Sequence, residues 1–306
     1  MSEWTRYLDV ALDAAFEAGR RTLTHFQTPL EVESKADASP VTIADREAET
    51  LLRQRLEAVF PEHGIVGEEF GRSRPGAAHQ WYLDPIDGTK SFIRGVPLYA
   101  VLLGLEVDGR VEVGVVHFPA LGETVAAASG GGTRWNGRRV YARRAADLRA
   151  AYVGYTEAAS FARHGRAAAW RRVQAECAYA PGWCDAYGHA LVASGRLDAM
   201  LDPVMKPWDA GPFPVLLREA GGRFGSWDGR ETIHGGEAVS VSDALWPALA
   251  PLLALRDEAR PGADAVPGGD RAGEDEAGED ESGGNRAGED RSGAQAGDDR
   301  DPLRVD

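Results

Sequence analysis

Residues 81–92 read WYLDPIDGTKSF: an aromatic and aliphatic run ends on Asp84, and Asp87 follows three residues later, just before a Gly-Thr pair. Large aromatic and aliphatic residues suit a pleated, half-buried surface, so the run predicts a buried strand. A strand that closes on one carboxylate and is followed at once by another places two like charges close together. Such a pair is stable when something positive lies between them.

Outward from this stretch the chain alternates between strand and helix signals. Downstream, YAVLLGLEV (99–107) and VEVGVVHF (111–118) predict two strands joined by Asp108-Gly109, a hairpin dipeptide. ETVAAAS (123–129) and RWNGRRV (134–140) predict a further hairpin that turns at Asn136-Gly137. Upstream, Trp4, Leu8, Ala11, Ala15 and Ala18 fall at helical spacing. A second helix is expected from about Ala44 to Phe60, stopped by Pro61. In the second half, helices are expected near 160–177 and 185–194, with a strand at DAMLD (198–202). One helix is expected through WDAGPFPVLLREAGG (208–222), with its cap at Gly221-Gly222. RFGSW (223–227) and AVSVS (238–242) read as strands, and 244–255 as the last helix. The pattern predicts a layered α/β (α+β) sandwich, with subdomains of about 1–145 and 146–259 that share one cleft.

The 306 residues carry a formal charge of −14, but it is unevenly spread. From Asp257 to Asp306 there are 16 Asp/Glu against 6 Arg, a net of −10, which leaves −4 for residues 1–256. A nearly neutral body weighs against nucleic-acid binding. Residues 260–306 repeat AGED and hold almost no large apolar side chains, so a disordered acidic tail is expected there, with solubility as its simplest role. Cys177 and Cys184 are seven apart, which is neither a CxxC pair nor a disulfide framework. The amino terminus lacks the basic flank and apolar run of a signal peptide, and no apolar stretch approaches the roughly 18 residues of a membrane span. The expectation is a soluble, cytoplasmic protein without membrane partners.

Three acidic signals recur where apolar runs give way to turns. They are Glu68 and Glu69 in GIVGEEFG, Asp84 and Asp87 in LDPIDGT, and Asp209 in KPWDAGP. Each has a plain alternative: a solvated corner, an Asp-Gly turn, and a helix cap. Together they form an all-oxygen set of the kind Mg²⁺ prefers, with the Ile86 carbonyl as a further oxygen beyond Pro85. Four carboxylates around two or three Mg²⁺ leave a neutral-to-positive site, which suits a phosphate dianion. Gly88 and Thr89 then offer backbone N–H groups to its oxygens. The histidines are scattered without ligand spacing, and the glycines at 130–132 are not followed by the Lys-Ser/Thr of a P-loop.

GEE, DPIDGT and WDAG…EAGG, in this order, resemble the motifs of the inositol monophosphatase family of Mg²⁺-dependent, lithium-sensitive phosphatases. The resemblance spans about residues 5–255. It implies the αβαβα sandwich of the inositol monophosphatase / fructose-1,6-bisphosphatase type, a small phosphorylated metabolite as substrate, and a homodimer. Carried over by position, it makes Glu68, Asp84, the Ile86 carbonyl, Asp87 and Asp209 the metal ligands. Asp45, in VTIADREAE, is then expected near Thr89, where Asp45, Thr89 and Glu68 align and activate the attacking water. Without the resemblance, Asp45 reads as a first-turn helix carboxylate.

Two features lean towards the histidinol-phosphatase-like branch. DGTKSFIRGVPLYAV continues the metal motif as that branch does, and Asp185 in GWCDAYGHALVASGRLD stands where inositol-type members carry a small residue. Asp202, seven residues before Asp209, matches a substrate-contacting acid of the family. Gly88, Thr89, Asp185 and Asp202 are therefore the expected substrate contacts, and two acids facing the non-phosphate end favour a cation. The alternative for Asp185 is a cap on the helix it begins, and for His189 simple packing. The expected activity is hydrolysis of L-histidinol phosphate in histidine biosynthesis. The alternatives are an inositol monophosphatase or broad sugar-phosphate phosphatase and, from another class, a binding partner in a transcription complex.

Overall fold

In the computed structural model, which describes residues 4–35, 40–144 and 146–257, Trp81 and Leu83 face one core and Tyr82 faces another. This period-two alternation identifies the strand as a central one, with packing on both faces.

The chain opens with α1 (Thr5–Leu23), the short pair β1 (Glu33–Ser34) and β2 (Pro40–Val41), and α2 (Ile43–Val59). Then come β3 (Gly64–Gly67), β4 (Gly71–Ser73), β5 (His79–Asp87), α3 (Thr89–Ile93), β6 (Ala100–Val107), β7 (Arg110–Phe118), β8 (Glu123–Ala128), β9 (Arg134–Trp135) and β10 (Arg138–Arg139). The second half holds β11 (Val153–Tyr155), α4 (Ala158–Arg163), α5 (Ala167–Glu176), α6 (Asp185–Ala193) and β12 (Ala199–Asp202). It closes with α7 (Pro207–Ala210), α8 (Phe213–Ala220), β13 (Gly222–Gly225), β14 (Ala238–Ser242) and α9 (Trp246–Leu253).

An eight-stranded sheet runs in the order β10-β9-β8-β7-β6-β5-β3-β4, antiparallel except for the β3–β5 pair. A four-stranded sheet has the order β11-β12-β14-β13. Ala11, Ala15 and Ala18 of α1 and Leu52 and Leu56 of α2 cover one face of the large sheet over Trp81, Val101, Leu103 and Val115. On its other face Tyr82, Leu102 and Val116 meet Ala190 of α6 and Phe213 and Leu216 of α8, which in turn touch Met200 and Phe224 of the small sheet. Phe161, Trp170, Val173 and Leu249 cover the outer face of that sheet over Val153, Leu201 and Val239. The layers are therefore α, β, α, β, α, as the motifs implied.

Both expected hairpin turns form. Asp108-Gly109 and Asn136-Gly137 each place two residues at positive φ, the geometry that matches strand twist in a two-residue loop. Two expected helices are broken. The 160–177 helix divides at Gly165, whose left-handed φ of 66° ends α4, so that the buried Arg166 can reach Glu237 and the Leu253 carbonyl. The 208–222 helix divides at Gly211-Pro212, the corner that lies against the large sheet. A side chain at Gly104 would run into the Gly211 backbone, and one at Gly114 into the Pro212 carbonyl. Those two glycines let the α7–α8 corner sit directly on β6 and β7.

Residues 1–258 make one compact unit. The acidic tail expected at 260–306 lies outside the described residues. Among the described residues, no helix is long and apolar enough to cross a membrane.

Candidate active site

The end of β5 answers the question raised by its two aspartates. Asp84 pairs with Leu102 and Asp87 with Ala100, so three steps on β5 oppose two on β6. This bulge inserts one residue at Pro85-Ile86, where proline has no N–H to lose from the ladder. In a regular strand, residues three apart point to opposite faces; the extra residue turns both carboxylates to the same side. Asp84 Oδ1 accepts the Ile86 N–H at 2.9 Å, and the Ile86 carbonyl accepts the Thr89 hydroxyl at 3.1 Å. Asp87 Oδ2 accepts the Ala186 N–H at 2.8 Å, at the amino end of α6.

Asp209 arrives from α7, where its Oδ2 accepts the Lys206 N–H at 3.0 Å. Carboxylate oxygens of Asp84, Asp87 and Asp209 lie within 4.8 Å of one another. Glu68 follows β3, with its N–H on the Leu83 carbonyl at 3.2 Å. The Lys35 ammonium sits 2.7 Å from Glu68 Oε1 and 2.6 Å from Glu69 Oε1. Glu68 also adds its charge to that of Asp84 and Asp209.

Burial first, and then repulsion from neighbouring carboxylates, hold Asp84 and Asp87 well above the ordinary carboxylate range. Asp84 and Asp87 are both pushed far up, Asp84 by burial and Glu68, Asp87 by burial and Asp185. Asp209 is raised to about 7, chiefly by burial. Glu69 also reaches about 7 through burial, with the Lys35 contact opposing the rise. Asp45 is buried at the third position of α2, and its Oδ2 accepts both the N–H and the hydroxyl of Thr42 at 2.7 Å. Its Oδ1 is buried without a hydrogen-bond partner. Crowded acids, an unpartnered carboxylate oxygen and an exclusively oxygen donor set fit a hard divalent cation.

A cleft of about 530 Å³ opens over this cluster, bounded by Glu68, Asp84, Ile86, Asp87, Gly88, Thr89, Lys90, Asp185 and Asp209, with Thr156 and Glu157 from the second half. A larger groove of about 640 Å³ lies along α1 and α2, but among the described residues the converging acids lie in the cleft over Asp84, not there. Asp185 enters the cleft with a left-handed φ of 51°, unusual for a residue with a side chain. Its N–H donates to Thr156 Oγ1 at 3.0 Å, and its Oδ2 lies 3.0 Å from where a Gly88 side chain would begin. Burial, and then Asp202, raise it to about 6. The carboxylate that receives the second α6 amide, that of Ala186, is Asp87, not Asp185.

Two expectations change in detail. Asp45 and Thr89 are not hydrogen-bonded to each other: Thr42, the helix cap three residues away, takes Asp45, and the Ile86 carbonyl takes Thr89. Asp202 stands behind the cleft, its Oδ2 2.9 Å from His189 Nε2. His189 is fully buried and bonded through Nδ1 to Ser240 Oγ at 2.7 Å, so it packs. The glycines at 130–132 present the N–H groups of Gly130 and Gly132 to Glu219, which occupies that turn. Sequence reasoning missed Lys35, Thr156 and Glu157, which stand outside the quoted motifs, and gave Thr42 no role although it lies in VTIADREAE.

The chain belongs to the inositol monophosphatase family, a family of metal-dependent phosphatases, whose model matches residues 3–258. Within it, the chain is 42% identical over 240 residues to a histidinol-phosphatase of Chlorobaculum parvum, covering 78% of this chain and 93% of that one. It is 36% identical over 244 residues to a histidinol-phosphatase of Mycobacterium tuberculosis, covering 78% and 94%. Among solved structures, an inositol monophosphatase from Zymomonas mobilis superposes with a TM-score of 0.75 at 30% identity, covering 83% of this chain and all of that one.

Proposed function

We propose that the protein is a Mg²⁺-dependent phosphomonoesterase that hydrolyses L-histidinol phosphate in histidine biosynthesis. The observation that carries the substrate choice is Asp185, a carboxylate held in the cleft beside Gly88 at a backbone angle that costs energy to maintain. Histidinol phosphate presents an ammonium and an imidazole at the end away from phosphorus, and a carboxylate there favours a cation. The histidinol-phosphatase relatives support the same choice.

In this reading Glu68, Asp84, the Ile86 carbonyl, Asp87 and Asp209 hold two or three Mg²⁺. Bound metal supplies a more acidic water and stabilises the leaving ester oxygen as it gains charge. Gly88 and Thr89 present backbone N–H groups to the phosphate oxygens. The free Oδ1 of Asp45 accepts a hydrogen bond from the attacking water and fixes its line of approach, with Thr42 locking the other oxygen. Asp185 binds the amine, and Asp202, steadied by His189, adds negative charge behind it.

The second reading, an inositol monophosphatase or broad sugar-phosphate phosphatase, is supported by the Zymomonas mobilis structure, because the metal residues do not choose the alcohol. A panel of histidinol, inositol and glycerol phosphates with purified protein and Mg²⁺ separates the two. Preference for histidinol phosphate supports the proposal, and preference for inositol phosphate overturns it. Absence of phosphate release from every ester would favour the third reading, a binding partner. The homodimer belongs to this proposal too, and sedimentation equilibrium tests it.

A further inference from the structure

Glu49 is a fully buried carboxylate that none of the chemistry above uses. It lies on α2, one turn after Asp45, and accepts three hydrogen bonds. The Glu69 N–H reaches its Oε2 at 2.7 Å, the Phe70 N–H reaches Oε1 at 3.2 Å, and Arg53 Nε reaches Oε1 at 2.7 Å. The other end of the Arg53 fork holds the Gly71 carbonyl at 2.6 Å. Gly67 is pressed onto the same group: a side chain there would collide with Glu49 Oε1 and come within 2.8 Å of Arg53 Nη2.

Residues 67, 69, 70 and 71 therefore all rest on the Glu49–Arg53 pair. Glu68, between them, is held differently, by its N–H on the Leu83 carbonyl, and its side chain, paired with Lys35 Nζ at 2.7 Å, lines the cleft. The loop has little apolar anchorage of its own, since Phe70 is 49% exposed. A buried charge is an expensive fastening where an apolar residue would pack. What it adds is directional: two backbone amides are aimed at one carboxylate, which sets the loop's rotation as well as its distance.

We propose that Glu49 is a positioning residue for divalent-cation binding, fixing Glu68 relative to Asp45 through one rigid turn of α2. The proposal rests on Glu68 being a metal ligand. It assigns Glu49 and Arg53 no contact with metal or substrate. Residues that orient a ligand in this way typically change metal affinity by about 10- to 100-fold when altered.

The test compares the full chain with Glu49→Gln, Arg53→Lys and Gly67→Ala, and uses Glu68→Gln as the benchmark. Gln keeps the volume but weakens acceptance, Lys keeps the charge but loses the fork, and Ala displaces the carboxylate. Three quantities are measured: the Mg²⁺ midpoint of the thermal-shift curve, amide hydrogen exchange of the metal-free protein at Glu69 and Phe70, and KM for the phosphate ester. Glu49→Gln is expected to raise the Mg²⁺ midpoint about ten-fold and to speed exchange at both amides, with KM little changed. A lower Tm or faster exchange with an unchanged Mg²⁺ midpoint would show a merely structural role and overturn the proposal. If Glu68→Gln weakens Mg²⁺ and the Glu49 variant does not, positioning alone is overturned. If Glu68→Gln leaves Mg²⁺ unaffected, the ligand role of Glu68 falls and the proposal falls with it. Should Glu49→Gln fail to fold, Gly67→Ala and Arg53→Lys carry the same comparison.

Discussion

Asp87 Oδ2 accepts the backbone N–H of Ala186 at 2.8 Å, so the second aspartate of β5 also anchors the first turn of α6, ninety-nine residues later. One carboxylate thus serves the acid cluster and ties the large sheet to the helix that carries Asp185. Charge and anchorage are separable, because an amide oxygen still accepts a hydrogen bond.

Asp87→Asn is expected to lower Mg²⁺-dependent phosphate release about 1,000-fold, the equivalent of about 4 kcal/mol of metal-assisted stabilisation. In EDTA its Tm should match or exceed that of the parent, since a buried, crowded charge is removed while the Ala186 contact stays. Asp87→Ala loses both and should melt lower. Activity retained in Asp87→Asn, or full activity of the parent after metal stripping, would be incompatible with the proposed site.

Mg²⁺ affinity should rise with pH. Asp209 is raised to about 7 and Asp185 to about 6, each chiefly by burial, against 3.8 for the free group. Folded protein without metal therefore holds protons that the unfolded chain releases at neutral pH. That contribution to stability is present below about 4 and is lost as pH rises through 6 to 7. Mg²⁺ held by Asp209 displaces the proton there, so Kd should fall about ten-fold per pH unit below about 7 for that proton. Titration calorimetry at pH 5.5, 6.5 and 7.5 in buffers of different ionisation enthalpy measures both Kd and the protons released. A flat or inverted dependence would refute this coupling.

Asp185→Asn should reduce kcat/KM for histidinol phosphate about ten-fold, roughly 1.4 kcal/mol, the loss of one charge-assisted contact. Asparagine tolerates the left-handed backbone at this position, so the fold should not suffer. Inositol and glycerol phosphates should be cleaved about as before. Equal losses on all three esters would mean that Asp185 supports the metals rather than the substrate's cation.

His117 offers a test of the core under the sheet. It is buried with Nδ1 2.9 Å from Thr124 Oγ1, and burial lowers it from 6.5 to about 4. The unfolded chain thus binds a proton between pH 6.5 and 4 that the folded chain refuses. Its contribution is present above 6.5 and is lost as pH falls, up to about 3 kcal/mol. His117→Gln should lose less stability than the parent between pH 7.5 and 4.5 in denaturant titrations with EDTA. Parallel pH slopes in the two proteins would contradict it.

The layer order was legible because it depends on short-range patterning. The unbroken apolar run at 81–83 reports a buried strand, and helical spacing from Trp4 to Ala18 reports which face is buried, whatever lies opposite. Asp108-Gly109 and Asn136-Gly137 specify their turns through local backbone preference. The broken helices were not legible in the same way. Gly211-Pro212 lies inside a stretch expected as one helix until Gly104 and Gly114 are seen to admit that corner to the sheet. Gly165 ends a helix so that Arg166 can find Glu237 seventy-one residues on, which no local window contains.

The candidate site divides along the same line. By themselves the residues determined which carboxylates to consider, because hard oxygens beside glycine and threonine amides are already a chemical statement about Mg²⁺ and phosphate. Tertiary structure decided their geometry and their partners. The bulge at Pro85-Ile86 turns Asp84 and Asp87 to one side, Lys35 comes to Glu68 and Glu69 from thirty-three and thirty-four residues away, and Asp202 is drawn to His189 behind the cleft. Such contacts follow from chain closure and packing, in which each partner is set by the whole arrangement of layers rather than by its neighbours in sequence.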